Sequence, residues 1–391
     1  MRFSEFQGEW EKHGLSEYLD FKNGLNPDSK RFGKGIKFIS VMDILNNPVI
    51  TYDCIRASVQ ATDTEISSFS VENGDILFQR SSETLEDVGR ANVYIDDRVA
   101  VFGGFVIRGK KKANYNPLFF RYLLSSPYAR KRIIPMGAGA QHFNIGQEGL
   151  SKVLLNFPSI EEQTKIASLL HLLDERIATQ SKLIEDLKKL KSAIIVEHYR
   201  QTEKNEVCVA DLGNHFNVGN LAKDDLSETG KPCIIYGELF TTYGEIISQI
   251  ESHTNKTEGM ILSKKGDLLF PSSTTVDAVS LIAPSVINVD NVILGGDMFG
   301  IHINHNYNTQ YLSYYFNHIA KKQLAKFAKG STIIHLHYTD IEKAKLLLPS
   351  LEEQNRMAKC LVALDKKVSV EQNLLSSLTC QKSYLLQQMF I

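Results

Sequence analysis

Two stretches of this chain carry apolar residues near the helical period, and they carry the same pattern. In the first, Ile166, Leu169, Leu170, Leu173, Ile177, Ile184, Leu187 and Ile194 form one stripe, which predicts a helix from about Ile160 to Tyr199. Adding 191 to each number gives Met357, Cys360, Leu361, Leu364, Val368, Leu375, Leu378 and Leu385, all still apolar or thiol. Both helices have a well-marked start. Pro158 precedes a capping box of Ser159 and Glu162, and Pro349 precedes Ser350 and Glu353. Elsewhere the pattern is one of short β-type runs. Ile36–Ser40, Asp75–Phe78 and Arg98–Val106 read as strands, as do Ile234–Tyr236, Asp267–Phe270 and Val292–Gly295. Aromatic-rich helical stretches follow at Pro117–Leu124 and Thr309–His318.

The repeated stripe belongs to a larger duplication. Residues 157–177 and 348–368 share 9 of 21 residues, beginning Phe157-Pro-Ser-Ile-Glu-Glu-Gln and Leu348-Pro-Ser-Leu-Glu-Glu-Gln. Gly74-Asp-Ile-Leu-Phe recurs as Gly266-Asp-Leu-Leu-Phe, Gly103-Gly104 as Gly295-Gly296, and Tyr115-Asn116 as Tyr307-Asn308. Order and spacing are kept, so the chain reads as two copies of one domain-sized unit, far longer than a solenoid repeat. The division expected is a mixed α/β domain over 1–156, a long helix over 157–205, a second such domain over 206–347 and a second helix over 348–391, with the junction near Asn205 and Glu206.

Helices of some forty residues are long for a globular protein, whose mean is nearer 11–12. The stripes are therefore expected to pack on each other, with Lys188, Lys189 and Lys191 keeping other faces wet. The first helix leaves one variable domain and delivers the chain to the next, so a pairing second helix must return. That predicts an antiparallel coiled coil with pseudo-two-fold symmetry. At 1.5 Å per residue each helix is at most ~60 Å long, enough to set two heads on successive turns of B-DNA, about 34–36 Å apart.

Composition adds limits. With 391 residues, 43% hydrophobic and 23% charged, the chain is expected to fold into more than one globular domain. It has no apolar leader and no run of roughly 18 apolar residues. Cys54, Cys208, Cys233, Cys360 and Cys380 have no regular spacing, which suits reduced thiols in a cytoplasm. The net charge of −1 argues mildly against nucleic acid, but its distribution does not. Arg98 to Gln147 contains no acid and nine basic residues, among them Lys110, Lys111, Lys112, Arg130, Lys131 and Arg132. Met298 to Thr339 is also acid-free and holds Lys321, Lys322, Lys326 and Lys329. Recurrence at equivalent places marks two anion-facing surfaces. Residues suited to base edges lie nearby: Gln79, Arg80, Ser81, Ser82, Gln141, His142 and Asn144 in the first copy, and Ser272, Ser273, Thr274, Ser331, Thr332 and His335 in the second. Arginine suits guanine and glutamine or asparagine suits adenine, whereas lysines position on phosphate.

Several chemistries find no support. Asn116-Pro117-Leu118-Phe119 is similar to the Asn-Pro-Pro-Phe motif of DNA amino-methyltransferases but lacks the second proline, and Asn308-Thr309-Gln310-Tyr311 lacks the motif altogether. There is no P-loop, and no cofactor-binding glycine-rich loop follows a strand. His302/His305 and His335/His337 could bind metal by spacing, but their counterparts in the first copy are Lys110, Ala113, Asn144 and Gly146.

The two Glu-Glu-Gln helix starts, each after a basic glycine-containing segment, resemble those of type I restriction–modification specificity subunits. The opening Arg2-Phe3-Ser4-Glu5-Phe6 with Glu9-Trp10, and the two Gly-Asp strands, are similar to the same family. The resemblance covers essentially the whole chain. It implies two DNA target-recognition domains joined by helices in an antiparallel coiled coil, and a bipartite asymmetric target read without catalysis by this subunit. It also implies double-stranded DNA, two methylation subunits docked on the helices and restriction subunits as partners. S-adenosylmethionine, ATP and Mg would be bound by those partners and no cofactor by this chain. Two alternatives from the sequence are a non-enzymatic adaptor binding RNA or an acidic protein, and the recognition part of a split restriction–modification enzyme. The beginning and end, which read as those of a whole chain, weigh against the latter.

Overall fold

A computed structural model describes residues 2–390. It divides into two compact units, one comprising the chain up to Lys182 together with the stretch from Asn373 onward, the other Leu183–Gln372. Both are mixed α/β, and each takes in part of both long helices, Ile160–Gln201 and Leu351–Gln388.

In the first unit an antiparallel sheet runs in the order Leu19–Asn23, Val106–Lys111, Ile76–Gln79, Ala91–Val93. A second sheet pairs Phe32–Ile39 with Ser58–Val59 and, in parallel, with Ala100–Phe102. The expected strand over Arg98–Val106 is in fact two, Ala100–Phe102 and Val106–Lys111, because the chain turns at Gly103–Phe105. In the second unit the corresponding sheet is Gly213–Asn217, Met298–Ile303, Asp267–Pro271, Ser285–Ile287 and Ile246–Ile247. The helical stretch after it, Thr309–Tyr315, continues as one π turn over Phe316–Ala320. At the expected junction Thr202, Glu203 and Lys204 fall between the first long helix and Asn205–Cys208, a strand paired with Lys345–Leu348.

The repeated motifs turn out to be joints. Gly74 and Gly266 both adopt φ of +94°, a left-handed turn that glycine enters without cost. The aspartates that follow close this turn. Asp75 accepts from the backbone N–H of Glu72 (3.0 Å) and Lys111 (2.9 Å), and Asp267 from that of Lys264 (2.8 Å). The glutamine of each Glu-Glu-Gln is buried. Gln163 donates to the Pro158 carbonyl at 3.0 Å and accepts from Asn116 N–H at 3.1 Å; Gln354 does the same with Pro349 (2.9 Å) and Asn308 (3.0 Å). Asn116 and Asn308 in turn cap the next helix, accepting from Phe119 N–H at 3.0 Å and Tyr311 N–H at 2.8 Å. The methyltransferase-like Asn-Pro pair is therefore a helix cap with proline in its first turn.

The long helices pair antiparallel. In the first unit Leu385, Met389 and Phe390, from the end of the second helix and just beyond, join one core with Ile166, Ala167 and Leu170 from the start of the first. In the second unit Ile195 joins Met357, Ala358 and Leu361, with Ile194, Tyr199 and Leu364 against them. Ile184, Val368 and Leu378 are buried, and Leu173, Ile177, Leu187 and Leu375 half-buried. Two positions depart from the expected stripe. Leu169 and its counterpart Cys360 are exposed, and Ala167 and Ala358 take their places inward. Lys191 does not keep a face wet either; it is buried on an ion pair.

That ion pair is built twice. Lys382 lies 2.5 Å from Asp174, which accepts from the Tyr122 hydroxyl at 2.8 Å. Lys191 lies 2.8 Å from Asp365, which accepts from the Tyr314 hydroxyl. Lysine and aspartate are each displaced by 191 positions. The second unit adds Glu245, 3.0 Å from Lys191 and 2.8 Å from His318. Burial alone would push the Glu245 carboxyl up, but the His318 bond and the Lys191 charge hold it at about 2.

Candidate nucleic-acid interface

In each unit the strand that follows the Gly-Asp turn runs on into a short segment held on both sides. In the first, Arg80 N–H donates to the Phe105 carbonyl (2.9 Å), and the Arg80 carbonyl accepts from Ile145 N–H (2.9 Å). Ser81 and Ser82 pair with Asn144 and Phe143 as a two-stranded ribbon. In the second, Ser272 N–H donates to the Asp297 carbonyl (2.7 Å), and its carbonyl accepts from Leu336 N–H (2.9 Å). Ser273 and Thr274 pair with His335 and Ile334.

A tight loop projects from each ribbon. Reciprocal backbone bonds of 2.9 and 2.8 Å join Ala138 to Asn144, and bonds of 2.9 and 2.7 Å join Lys329 to His335. Both loops need glycine after the first residue. Gly139 has φ of +145° and Gly330 +115°, and a Cβ at either would stand 2.0 Å from the carbonyl oxygen of His142 or Ile333. The tips Ala140-Gln141-His142 and Ser331-Thr332-Ile333 are exposed. One backbone thus presents two different sets of side chains. A two-stranded β-ribbon is a shape that the major groove of B-DNA admits.

The structure sorts the residues singled out by sequence. Arg80, Ser81, Gln141, His142 and Asn144 come together around the first ribbon. Arg80 donates to the Gly104 carbonyl at 3.2 Å, and the Ser81 hydroxyl donates to Asn144 Oδ1. Thr274, Ser331, Thr332 and His335 come together around the second. Gln79, Ser82, Ser272 and Ser273 do not qualify as presented base readers, because the paired strands bury them. Gln79 donates inward to the Ser81 carbonyl at 2.9 Å, and its buried Oε1 has no partner.

The basic residues divide as well. Lys131 and Arg132 are exposed on the Pro127–Ile133 helix, which leads through one further turn to the first ribbon's loop; Arg132 lies over the Tyr128 ring at 3.8 Å. Arg130 turns inward to the carbonyls of Glu86 (2.8 Å) and Val88 (2.7 Å), and burial lowers its pKa to about 10. Lys322 and Lys326 are exposed and Lys321 half-buried before the second loop, while Lys329 is held at 2.5 Å by Asp340. Lys110, Lys111 and Lys112 are not part of this cluster. Val106 pairs with Gln79 and Gly109 with Ile76, so the lysines lie at the far end of their strand, roughly 15 Å along at 3.3 Å per residue. There Lys110 meets Glu72 at 3.0 Å, and Lys111 donates to the Tyr115 carbonyl at 3.1 Å.

Three of the four histidines singled out have ordinary partners. His302 lies 2.6 Å from buried Asp267 and stacks on Phe216, and His335 stacks on His337. Among the described residues no three His, Cys, Asp or Glu side chains gather as metal ligands, and no helix is long and apolar enough to cross a membrane.

Comparison with known proteins decides the family. The model of the type I restriction modification DNA specificity domain matches residues 7–189 and again 202–379. The chain belongs to this family. The putative type I restriction enzyme MjaX specificity subunit of Methanocaldococcus jannaschii is 23% identical over 390 residues, covering 94% of this chain and 89% of that one. The MjaVIII specificity subunit of the same organism is 21% identical, covering 95% and 92%. A crystal structure of the S subunit of a type I restriction–modification system from M. genitalium matches with a TM-score of 0.61 at 16% identity, over 100% and 99% of the two chains. A structure described under complex assembly and conformational transition of the type I R-M system matches at 0.59 and 14% identity, over 98% and 97%. The specificity family is thus represented twice in tandem along the chain, and these relatives are specificity subunits, the non-catalytic components of type I complexes.

Proposed function

We propose that each unit reads one half of a split, asymmetric DNA target through its ribbon and loop, and that the chain docks methylation and restriction subunits on its long helices. The observation that carries this is the loop built twice on one backbone with different tips. Two readers of unlike half-sites need the same presentation and different side chains. Exposed Lys131, Arg132, Lys322 and Lys326 supply phosphate contacts that position without specifying. The chain itself performs no chemistry. S-adenosylmethionine, ATP and Mg belong to the partner subunits, two of which methylate adenine, and the complex works in the cytoplasm.

The test is selection of duplexes from a randomised library by the full chain, alone and with its methylation subunits, together with mapping of methylated adenines in host DNA with and without the gene. Two short sequence blocks at one fixed separation, matching the methylated sites, are expected. Equal binding of all duplexes, or a preference for RNA, would overturn the proposal.

A further inference from the structure

A second pair of side chains stands beside the two ribbons. The residue whose carbonyl fixes Arg80 is Phe105, and the residue whose carbonyl fixes Ser272 is Asp297. They occupy equivalent turns, directly after Gly103-Gly104 and Gly295-Gly296. Both side chains face solvent, and Phe105 is 69% exposed. A phenyl ring has no reason to stand in water at a turn between strands of two different sheets, and it does not stand alone. Met42 and Phe32 are also exposed, and with Phe105, Leu25, Phe38 and Ser81 they line a cavity of about 460 Å³. Ser81 belongs to the ribbon, so this apolar patch is continuous with the proposed reading surface. In the second unit the same position is a carboxylate, and no hydrogen bond or ion pair of the Asp297 side chain is found among the described residues. A free carboxylate beside a surface that faces phosphates is repelled unless it accepts a hydrogen bond from a base.

We propose that Phe105 and Asp297 are specificity-determining residues, Phe105 packing on the 5-methyl group of a thymine in one half-site and Asp297 accepting from the exocyclic amine of a cytosine or adenine in the other. This rests on the reading of the ribbons as DNA readers. The chemistry follows from the major-groove edges. Thymine alone carries a methyl group there, which apolar side chains contact, and a carboxylate can only accept, which suits an amino group and opposes the guanine O6 and N7 acceptors. Backbone bonds to Arg80 and Ser272 hold both tips at a fixed place beside the ribbon, so each is expected to address one base position.

The experiment is selection from a randomised duplex library by the full chain, its Phe105→Ala variant and its Asp297→Ala variant. Both residues are exposed, so neither substitution should disturb folding. Phe105→Ala should relax a thymine at one position of one half-site by about five-fold or more, and Asp297→Ala an amine-bearing base at one position of the other. All other positions should keep their preference. Replacing the implicated thymine by deoxyuridine, which removes only the methyl group, should weaken binding of the wild-type chain and leave Phe105→Ala unaffected. If the wild-type chain selects a split site but both variants select the same one, or deoxyuridine costs both proteins equally, the assignment of these two residues is wrong while the DNA-reading function stands. If the wild-type chain selects no split duplex, the function falls and this assignment with it.

Discussion

The two units share the lysine–aspartate joint of their long helices and differ in the side chains at their loop tips, and the contrast separates what the fold requires from what it displays. At the helix joint the same lysine, aspartate and tyrosine recur, yet their surroundings are unequal. Asp174 has Arg121 at 3.3 Å as well as Lys382, so it is served by two cations. Lys191 serves two anions, Glu245 and Asp365. The joint can therefore be broken asymmetrically. At the loops the backbone is equal and only the side chains change, so there the units can be altered one at a time.

The largest effect is expected from separating the copies. In the first unit Lys382, Leu385, Leu386, Met389 and Phe390 come from the far end of the sequence, and Phe390 packs on Trp10 and Phe119. A fragment 1–201 lacks them. It carries instead Lys191, Ile194, Ile195, His198 and Tyr199, the same five positions less 191. A second copy of the fragment can supply these to the first, and each apolar side chain so buried is worth roughly 1.5–3 kcal/mol. Two-fold closure satisfies both copies. The fragment should be dimeric by light scattering and should select an inverted repeat of one half-site. A monomer, or a dimer preferring an asymmetric site, would count against equivalent joints.

Next comes the lysine at each joint. Lys191→Ala leaves Glu245 and Asp365 partly buried without their shared cation, and about 3–5 kcal/mol of stability should disappear. Lys382→Ala leaves Asp174 with Arg121 and Tyr122, so a decrease of about 1 kcal/mol is expected. Urea unfolding of the full chain compares them, and equal decreases would remove the asymmetry. Acid sharpens the test. Glu245 is held at about 2, below its ordinary value, so its contribution is complete above about pH 4.5 and disappears as pH falls toward 2. Glu245→Gln should flatten that part of the stability profile.

Much of this is legible in the sequence, for a physical reason. The duplication is visible because joints restrict residue type. A left-handed turn needs Gly74 and Gly266, and a buried amide bridging two backbone groups needs Gln163 and Gln354. The helical stripe is visible because burial recurs with the helical period, though the period cannot distinguish Leu169 from Ala167 as the inward neighbour. The roles of single polar residues are much less legible. Lys191 looks like a solvated lysine because its partners Glu245 and Asp365 lie 54 and 174 positions away. Gln79 and Ser272 look like readers because sequence shows adjacency to a ribbon but not which way a side chain turns. Phe105 escapes notice because Gly103-Gly104 reads as the interior of a strand and not as a turn, although the recurrence of two glycines is itself a turn signal.

A third expectation concerns the loops. Gly139→Ala and Gly330→Ala each place a Cβ on a backbone carbonyl in an exposed turn, so folding should survive while the tip is displaced. Gly139→Ala should reduce the preference for one half-site by roughly ten-fold, and Gly330→Ala the preference for the other, as removal of a base-reading side chain implies. Both variants losing the same half-site would show that the loops are not the separate readers.

The smallest effect distinguishes two basic surfaces within the first unit. Lys110 and Lys111 make a conspicuous run with Lys112, but they are occupied by Glu72 and the Tyr115 carbonyl at the end of the strand remote from the ribbon. Lys131 and Arg132 are fewer but exposed, Arg132 resting on Tyr128 with a 2.8 Å bond to its carbonyl, and both are carried on the helix that leads to the loop. Removing one phosphate-binding side chain should reduce the slope of log affinity against log salt by about 0.9. Lys131→Ala with Arg132→Ala should therefore lower the slope by up to about 1.8, equally for every duplex, since phosphate contacts carry no sequence information. Lys110→Ala should leave it unchanged. The opposite result would place the phosphate surface at the strand end that carries Lys110, and the loops would then read bases without the basic flank that this helix gives them.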